Sequence, residues 1–188
     1  MFRVIAVITL AAALGGMVVH LLLARGGERF VKLQTQARWL RVLTDLAWAL
    51  LGLSVAVLGV IGFAEAVVEG EAVHGYALMA HVTFGGVFAF AAAVVLLLDG
   101  YLYRFEEGDF RPGRRNVGWR KVFFWATMAL VVPVTLSTVV SMTGLFGSVG
   151  QAVLLEVHRY ATLGFTVTAL WLGYLAVRTR KFKIQNEK

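Results

Sequence analysis

Residues 75–103 read GYALMAHVTFGGVFAFAAAVVLLLDGYLY, and this stretch decides the fold class. Almost all of its side chains are apolar, with a histidine at His81 and a carboxylate at Asp99. About 20 consecutive apolar residues suffice for a helix to cross a hydrocarbon core about 30 Å thick. Because backbone polar groups cannot remain unpaired in lipid, such a segment must be helical. The stretch therefore predicts a membrane-spanning helix.

Other apolar blocks of similar length occur on both sides of this one. They lie at about 4–24, 43–66, 121–146 and 151–177. Hydrophobic residues make up 59% of the 188 residues, whereas soluble domains contain about 45–50%. The sequence thus predicts an all-α integral membrane protein, in which residues 1–188 form a single transmembrane domain of five helices.

The first block has some features of a secretory signal peptide, because Arg3 precedes an apolar run that contains Ala11, Ala12 and Ala13. The apolar run continues to Leu23 without a convincing cleavage site of small residues. We therefore interpret this block as a spanning helix rather than as a removable leader.

The loops between the blocks differ sharply in charge. A net charge of +7 would favour nucleic-acid binding in a soluble protein, but here membrane topology explains the basic residues and no nucleic-acid partner is expected. The basic residues of the first loop, the third loop and the C-terminal tail are Arg25, Arg29, Lys32, Arg38, Arg41, Arg104, Arg111, Arg114, Arg115, Arg120, Lys121, Arg178, Arg180, Lys181, Lys183 and Lys188. The second loop instead carries Glu69 and Glu71, and residues 147–150 are uncharged. The positive-inside rule places the basic loops and the C-terminus in the cytoplasm of a bacterial-type inner membrane, with the N-terminus outside.

Helices 2–3 and helices 4–5 form a weak internal repeat. Each pair reads as a hairpin with a histidine about two turns into its second helix, His81 in one and His158 in the other. Counted from the predicted helix starts, the two imidazoles lie about 9 and about 12 Å deep. The chain has no cysteine, which excludes thiolate ligands and covalent c-type haem attachment. Two imidazoles at similar depth predict the axial ligands of one haem, held by a four-helix bundle of helices 2–5.

The neighbours of the two histidines are consistent with this interpretation. Gly85 follows His81 by one turn, where a missing side chain would let a porphyrin approach, and Thr162 occupies the matching position after His158. Arg159 would meet a haem propionate; its alternatives are pairing with Glu156 or reaching outward to water.

The sequence predicts other roles for the two remaining histidines, His74 and His20. His74 lies on the His81 face about 10 Å further out, where it is solvated at the interface or touches a propionate, a quinone head group or a partner. His20 lies near the cytoplasmic end of helix 1, at a depth where no second histidine occurs, so a second haem has no ligand pair. The alternative for His81 and His158 themselves is interhelical hydrogen bonding without a cofactor.

The sequence motifs Ala80-His81-Val82-Thr83-Phe84-Gly85-Gly86 and Val157-His158-Arg159-Tyr160 stand in this hairpin repeat. Together they resemble the membrane cytochrome b superfamily, which includes the b-type subunits of formate dehydrogenases, nickel–iron hydrogenases and nitrate reductases. The resemblance covers roughly residues 38–180. It implies a subunit that anchors a redox complex and passes electrons between a partner subunit and membrane quinone. Many family members hold two haems on four histidines, whereas this chain offers one matched pair and hence one non-covalent haem b.

Two other functions remain open at this stage. One is a cofactor-free membrane anchor or assembly subunit, in which helix 4 hydroxyls join the helices by hydrogen bonds. These hydroxyls belong to Thr135, Ser137, Thr138, Ser141 and Thr143. The other is a small transporter, against which stand a single weakly broken helix, at Pro133, and the lack of a charge pair at the membrane centre. Neither a Walker A sequence nor an H-E-x-x-H motif is present, so an electron-transfer subunit is favoured over a stand-alone catalyst.

Overall fold

The computed structural model describes residues 1–23, 38–65, 73–111 and 114–185, with side chains to residue 178. Within these ranges the chain forms long helices and no strand. The helices are α1 (Phe2–Leu23), α2 (Arg38–Phe63), α3 (Gly75–Asp99), α4 (Arg115–Met142) and α5 (Gly147–Gln185), with a 3₁₀ turn at Gly100–Tyr103. All five are long and apolar enough to cross a membrane. Over the described residues, the prediction of an all-helical fold with five helices long and apolar enough to span a membrane is confirmed.

Several helices extend beyond the apolar blocks from which they were predicted. α2 begins at Arg38 rather than near residue 43, α4 begins at Arg115 rather than near 121, and α5 runs from Gly147 to Gln185 rather than from 151 to 177. Arginine and lysine are good helix formers, so a helix continues into water after its apolar segment has ended. The break between α4 and α5 falls at Gly144 and Gly147, whose positive φ angles of 66° and 60° suit glycine.

Some of the charged residues used to predict the topology lie outside the described residues. These are Arg25, Arg29, Lys32, Glu69, Glu71 and Lys188. The side chains of Arg180, Lys181 and Lys183 are likewise outside the described part of the chain.

The described chain divides into two compact units, and the first is built on the α2–α3 hairpin. The residues that α2 and α3 bury recur at intervals of three and four, the spacing of a helix–helix seam. They are Thr44, Ala47, Leu51 and Ser54 on α2, and Phe88, Ala91, Ala92, Val95 and Asp99 on α3. Small side chains at such a seam let two helix backbones approach closely, which replaces the hydrophobic driving force that lipid cannot supply.

The second unit is built on the α4–α5 hairpin, together with α1 from Val7 onward. On α5, the buried apolar side chains Ala161, Phe165, Leu172 and Leu175 again follow helical spacing. α1 approaches α5 where Gly16 faces Trp171, and a side-chain carbon added at Gly16 would come within 3.3 Å of the indole. The same indole stacks on Phe123 of α4, with ring centroids 5.6 Å apart.

Residues 104–111 fold back onto the start of α4, and we call them the α3–α4 cap. Its centre is a buried ion pair in which Lys121 Nζ donates to both carboxylate oxygens of Asp109, at 3.0 and 2.9 Å, and to the carbonyl of Arg104 at 2.7 Å. The backbone N–H of Glu106 also donates to Asp109, at 2.8 Å. Asp109 is 2% exposed and Lys121 is 7% exposed.

The Asp109 carboxylate remains charged in spite of its burial. Burial by itself would raise the pKa of Asp109, but the Glu106 amide and the hydrogen bonds and charge of Lys121, with a further contribution from Arg114, outweigh it. The pKa of Asp109 therefore lies below its ordinary value. The ion pair explains why a lysine that the sequence places in a basic loop is buried instead.

Candidate functional site

His158 lies on α5 and its imidazole faces α4 across the hairpin. Its Nδ1 atom is 3.2 Å from the carbonyl oxygen of Val134, 3.2 Å from Ser137 Oγ and 3.1 Å from Thr138 Oγ1. Both hydroxyls are also within donating distance of the same Val134 carbonyl, at 2.9 and 3.1 Å. The imidazole is thus held at one nitrogen by a compact set of oxygen atoms from one turn of α4.

These contacts define which nitrogen of His158 carries the proton. A carbonyl oxygen only accepts hydrogen bonds, so Nδ1 must donate to Val134. When the two hydroxyls donate to that carbonyl, their lone pairs also face the Nδ1–H and accept from it. In the neutral ring this tautomer leaves the lone pair on Nε2, which is the arrangement that metal-binding histidines commonly adopt.

The hairpin register brings these α4 residues opposite His158. Side-chain neighbours across α4 and α5 are Ser137 and His158, Leu130 and Gly164, and Phe123 and Trp171. Each successive pair moves along both helices by about two turns. The sequence interpretation treated Ser137 and Thr138 only as general hydrogen-bonding groups between helices. The sequence signal that could have revealed the role of Ser137 and Thr138 is the glycine pair Gly144 and Gly147. These glycines fix the turn and therefore the register of the two helices.

Thr162 stands one turn beyond His158 on the same face of α5. Its hydroxyl oxygen is buried and makes no hydrogen bond to any residue within the described ranges. A bound group beside His158 would satisfy this hydroxyl, but the buried hydroxyls of Thr44, Ser54 and Thr135 are in the same state within the described residues, so the observation is not specific to a ligand. The glycine at the matching position in the other hairpin, Gly85, has open space where a side-chain carbon would stand. Gly52, Gly59 and Gly62 have the same space, so the gap at Gly85 is not specific to a ligand.

His81 lies on α3, in the α2–α3 unit, and is partly buried. It stands six residues after the start of α3, about 9 Å along the helix axis. His158 stands eleven residues after the start of α5, about 16 Å along its axis, because α5 begins earlier than predicted. The equal depths expected from the sequence therefore do not follow from the helix starts.

The two outlying candidates have acidic neighbours. Arg159 donates to Glu156 at 3.0 Å, which is the alternative that the sequence offered to a propionate contact. His74 precedes α3, is mostly exposed, and its Nδ1 lies 3.7 Å from a carboxylate oxygen of Glu65 at the end of α2. Both arrangements are typical of polar groups near a membrane surface, where water and counter-ions remain accessible.

His20 has an environment opposite to that of His158. Its Nδ1 lies 3.0 Å from Tyr174 Oη and 3.0 Å from a guanidinium nitrogen of Arg178. A guanidinium only donates hydrogen bonds, so Nδ1 of His20 must accept and the ring proton is on Nε2. The side chain of Asn116 is a further hydrogen-bonding neighbour of the ring, and Trp171 packs edge-on against it at 6.0 Å. His20 is thus a structural clamp between helices.

Asp99 also has a structural partner. Trp48 Nε1 of α2 donates to its carboxylate at 2.7 Å, and Asp99 is 7% exposed. This contact joins the end of α3 to the interior of α2. A proton-transfer role for Asp99 would have to operate through a carboxylate that the indole already holds.

Comparison of the chain with protein-family models, curated proteins and solved structures finds no match. Function must therefore be argued from the residues themselves. Among the described residues, no group of three or more His, Cys, Asp or Glu side chains could hold a metal ion. A haem iron needs only two axial ligands from the protein, and the donor set at His158 fits it: an imidazole fixed at Nδ1 beside an unsatisfied hydroxyl.

Proposed function

We propose that this chain is a b-type cytochrome subunit of a membrane redox complex. His158 and His81 are its two axial ligands to one non-covalent haem b, and it transfers electrons between a partner subunit and membrane quinone. The observation that carries the proposal is the hydrogen bond from His158 Nδ1 to the Val134 carbonyl, which puts the lone pair of the neutral ring on Nε2. The choice of His81 as the second ligand rests on its matching place in the sequence repeat.

The protein's own residues have definite tasks in this proposal. The Val134 carbonyl and the hydroxyls of Ser137 and Thr138 fix the ring of His158 and make its imidazole a stronger electron donor. The apolar helices keep the surroundings at low dielectric, which sets the cost of a change in charge. The charge of Arg159 is balanced by Glu156 at 3.0 Å, so a haem propionate would have to take the place of that carboxylate to pair with the guanidinium. A bound haem would supply the one-electron redox chemistry that the side chains lack.

The decisive experiment is an optical spectrum of the full chain, purified in detergent from haem-replete cells. We expect the spectrum of a low-spin, bis-imidazole haem b that acidic acetone extracts, at about one haem per chain. Extraction is informative because the chain has no cysteine for covalent attachment. A colourless, correctly folded preparation would overturn the proposal.

The orientation is proposed from charge and has its own test. We infer a bacterial-type cytoplasmic membrane with the N-terminus outside and the C-terminus in the cytoplasm. Reporter fusions after Leu23 and Tyr103 should read as cytoplasmic, and fusions at Glu71 and Ser148 as external. The inverse pattern would reverse the orientation without affecting the assignment of His158.

The second candidate is a cofactor-free membrane anchor or assembly subunit. It is favoured by the same hydroxyls of Ser137 and Thr138, because a histidine bonded across a hairpin stabilises membrane helices without any ligand. The optical spectrum separates the two candidates. In the cofactor-free case Thr162 has no bound group to satisfy it.

A further inference from the structure

The α3–α4 cap stands at the membrane surface in either orientation, because it joins the ends of two spanning helices. The spans that flank it are Gly75–Tyr103 and Arg115–Met142. Its exposed aromatic side chains, Phe105 and Phe110, are each 50% exposed, and Trp119 on the first turns of α4 is 41% exposed. Aromatic rings at this level are typical of residues embedded among lipid head groups.

The cap also concentrates positive charge. Arg104, Arg111 and Arg115 are exposed, and the acidic side chains exposed beside them are Glu106 and Glu107. The third acid, Asp109, is buried and neutralised by Lys121, so it does not offset the surface arginines. The first turn of α4 contains no acidic residue, and the positive end of its helix dipole therefore adds to the same field.

The arginines and aromatic rings stand on a rigid base. Lys121 uses its hydrogen bonds on Asp109 and on the Arg104 carbonyl, which fixes both ends of the cap. Phe110 packs so closely on Gly118 that an added side-chain carbon there would lie 2.8 Å from its ring. The Phe110 and Trp119 rings meet edge to face, with centroids 6.1 Å apart. A surface ordered before binding loses less entropy when a ligand binds.

From this combination we propose that the α3–α4 cap is a binding surface for anionic phospholipid. The arginines contact the phosphate groups, and Phe105, Phe110 and Trp119 lie among the head groups. Guanidinium groups pair well with phosphate oxygens, and juxtamembrane basic clusters select anionic lipids over zwitterionic ones. The proposal is independent of haem binding.

The test uses the full chain, reconstituted in vesicles of equal parts phosphatidylglycerol and phosphatidylcholine. The protein is then extracted in mild detergent, and native mass spectrometry counts the lipids that remain bound. We expect the anionic lipid to exceed the zwitterionic one by about threefold or more. The double variant Arg111→Gln/Arg115→Gln should bring the ratio close to one, and higher salt during reconstitution should lower it in the unaltered protein.

A charge-matched control removes two arginines from the opposite ends of the spans. Arg3→Gln/Arg159→Gln changes the net charge equally and should keep the preference for anionic lipid. Helicity and monodispersity of each variant are checked first. Equal retention of both lipids by the unaltered protein would overturn the proposal and leave this face to a protein partner. Loss of the preference in the control would also overturn it, because net charge alone would then explain the effect.

Discussion

The two ends of the α4–α5 unit hold their histidines in opposite ways. At the turn end, which contains Val134–Thr138 and His158, neutral oxygen atoms accept from the ring. At the open end, formed by residues 103–111, 114–121 and 171–178 together with His20, the ring itself accepts from a phenol and a guanidinium. One residue type, in one unit, is thus held in two different tautomers by its neighbours.

In the proposed function, the turn end binds the haem and the open end supports the fold. The open end uses its polar groups on one another: Lys121 with Asp109, Arg120 with Tyr103 at 3.0 Å, and Arg178 with His20. The turn end fixes the His158 ring at Nδ1, which leaves the lone pair of the neutral ring on Nε2. Polar groups paired with one another stabilise a fold, whereas a histidine fixed at one nitrogen is the arrangement that metal-binding histidines commonly adopt.

The largest expected effect separates the two histidines directly. His158→Ala should abolish the low-spin haem spectrum, because a six-coordinate iron needs both axial imidazoles. His20→Ala should leave that spectrum intact, because the Arg178 guanidinium donates to Nδ1 of His20 and the ring proton is therefore on Nε2, which has no lone pair for iron. Both are measured by absorbance of purified protein, normalised to protein content.

Accumulation of both variants in the membrane must be verified first, because loss of a bound group can also destabilise a fold. His81→Ala should behave like His158→Ala. If His20→Ala removed half of a two-haem spectrum while His81→Ala left half, the single-haem proposal would be wrong and the open end would be a second binding site.

The next largest effect concerns the buried ion pair of the open end. Asp109→Asn leaves the Lys121 ammonium buried opposite a neutral amide, and breaking such a pair costs about 3–5 kcal/mol. We expect a markedly lower thermal unfolding temperature in detergent. Glu107→Gln, an exposed carboxylate in the same cap, is the matched control and should change the stability little. Equal stability of the two variants would mean that the pair does not support the fold.

The same pair predicts a response to acid. Because the folded-state pKa of Asp109 is depressed, its stabilising contribution is present above the unfolded-state pKa of about 3.9. The contribution is lost as the pH falls from there through the folded-state pKa. The thermal unfolding temperature of the unaltered protein should therefore fall in this acidic range. Asp109→Asn should remove that part of the pH dependence, and a profile unchanged by the substitution would contradict the assignment.

A smaller effect is expected at Gly118, beneath the cap. Gly118→Ala would place a carbon 2.8 Å from the Phe110 ring and 2.9 Å from the Asp109 carbonyl, so the cap must shift. Overpacking of this kind costs about 1–3 kcal/mol. Gly173→Ala is the control, because among the described residues nothing beyond the adjacent chain and the backbone of α5 lies within 4 Å of the added carbon, and it should be neutral or slightly stabilising. Reversal of that order in thermal unfolding would show that the cap is loosely packed.

The smallest effect tests how His158 is held. Ser137→Ala removes one acceptor from the ring while the Val134 carbonyl and Thr138 remain. A single hydrogen bond contributes about 1 kcal/mol, so the haem midpoint potential should rise by at most about 40 mV as the imidazole becomes a weaker donor. Ser141→Ala, whose hydroxyl donates to the Thr138 carbonyl, is the control. A larger shift in the control would assign the effect to α4 rather than to His158.

The sequence predicts the spans well because lipid imposes one requirement on the whole length of each block. It predicts helix ends poorly, as at Arg38 and Gly147, because hydropathy reports the apolar segment and not the helix that continues beyond it. His158 is identifiable as an ionisable group in an apolar block. Its attachment to Ser137 and Thr138 was not predicted, since it depends on the register across the turn.

The buried Lys121–Asp109 pair was missed for a different reason. Charged residues in a basic loop are normally solvated, and nothing in their spacing reveals that the chain folds back over them. The burial is instead indicated by Gly118, a small residue early in α4 against which Phe110 packs. A glycine between arginines and aromatic residues is thus a better indicator of a packed cap than the charges are.

The two helices of the α4–α5 hairpin differ in how easily they bend. α5 extends over 39 residues, about 58 Å, without a proline, whereas α4 contains Pro133 beside the turn that holds His158. Proline cannot donate to the carbonyl four residues earlier, so α4 bends more easily than α5. Bending of α4 near Pro133 would therefore move the Val134 carbonyl relative to the His158 ring more readily than bending of α5 would. The oxygen atoms that hold His158 thus lie next to the most easily bent part of α4. A small bend there changes their distances to the imidazole.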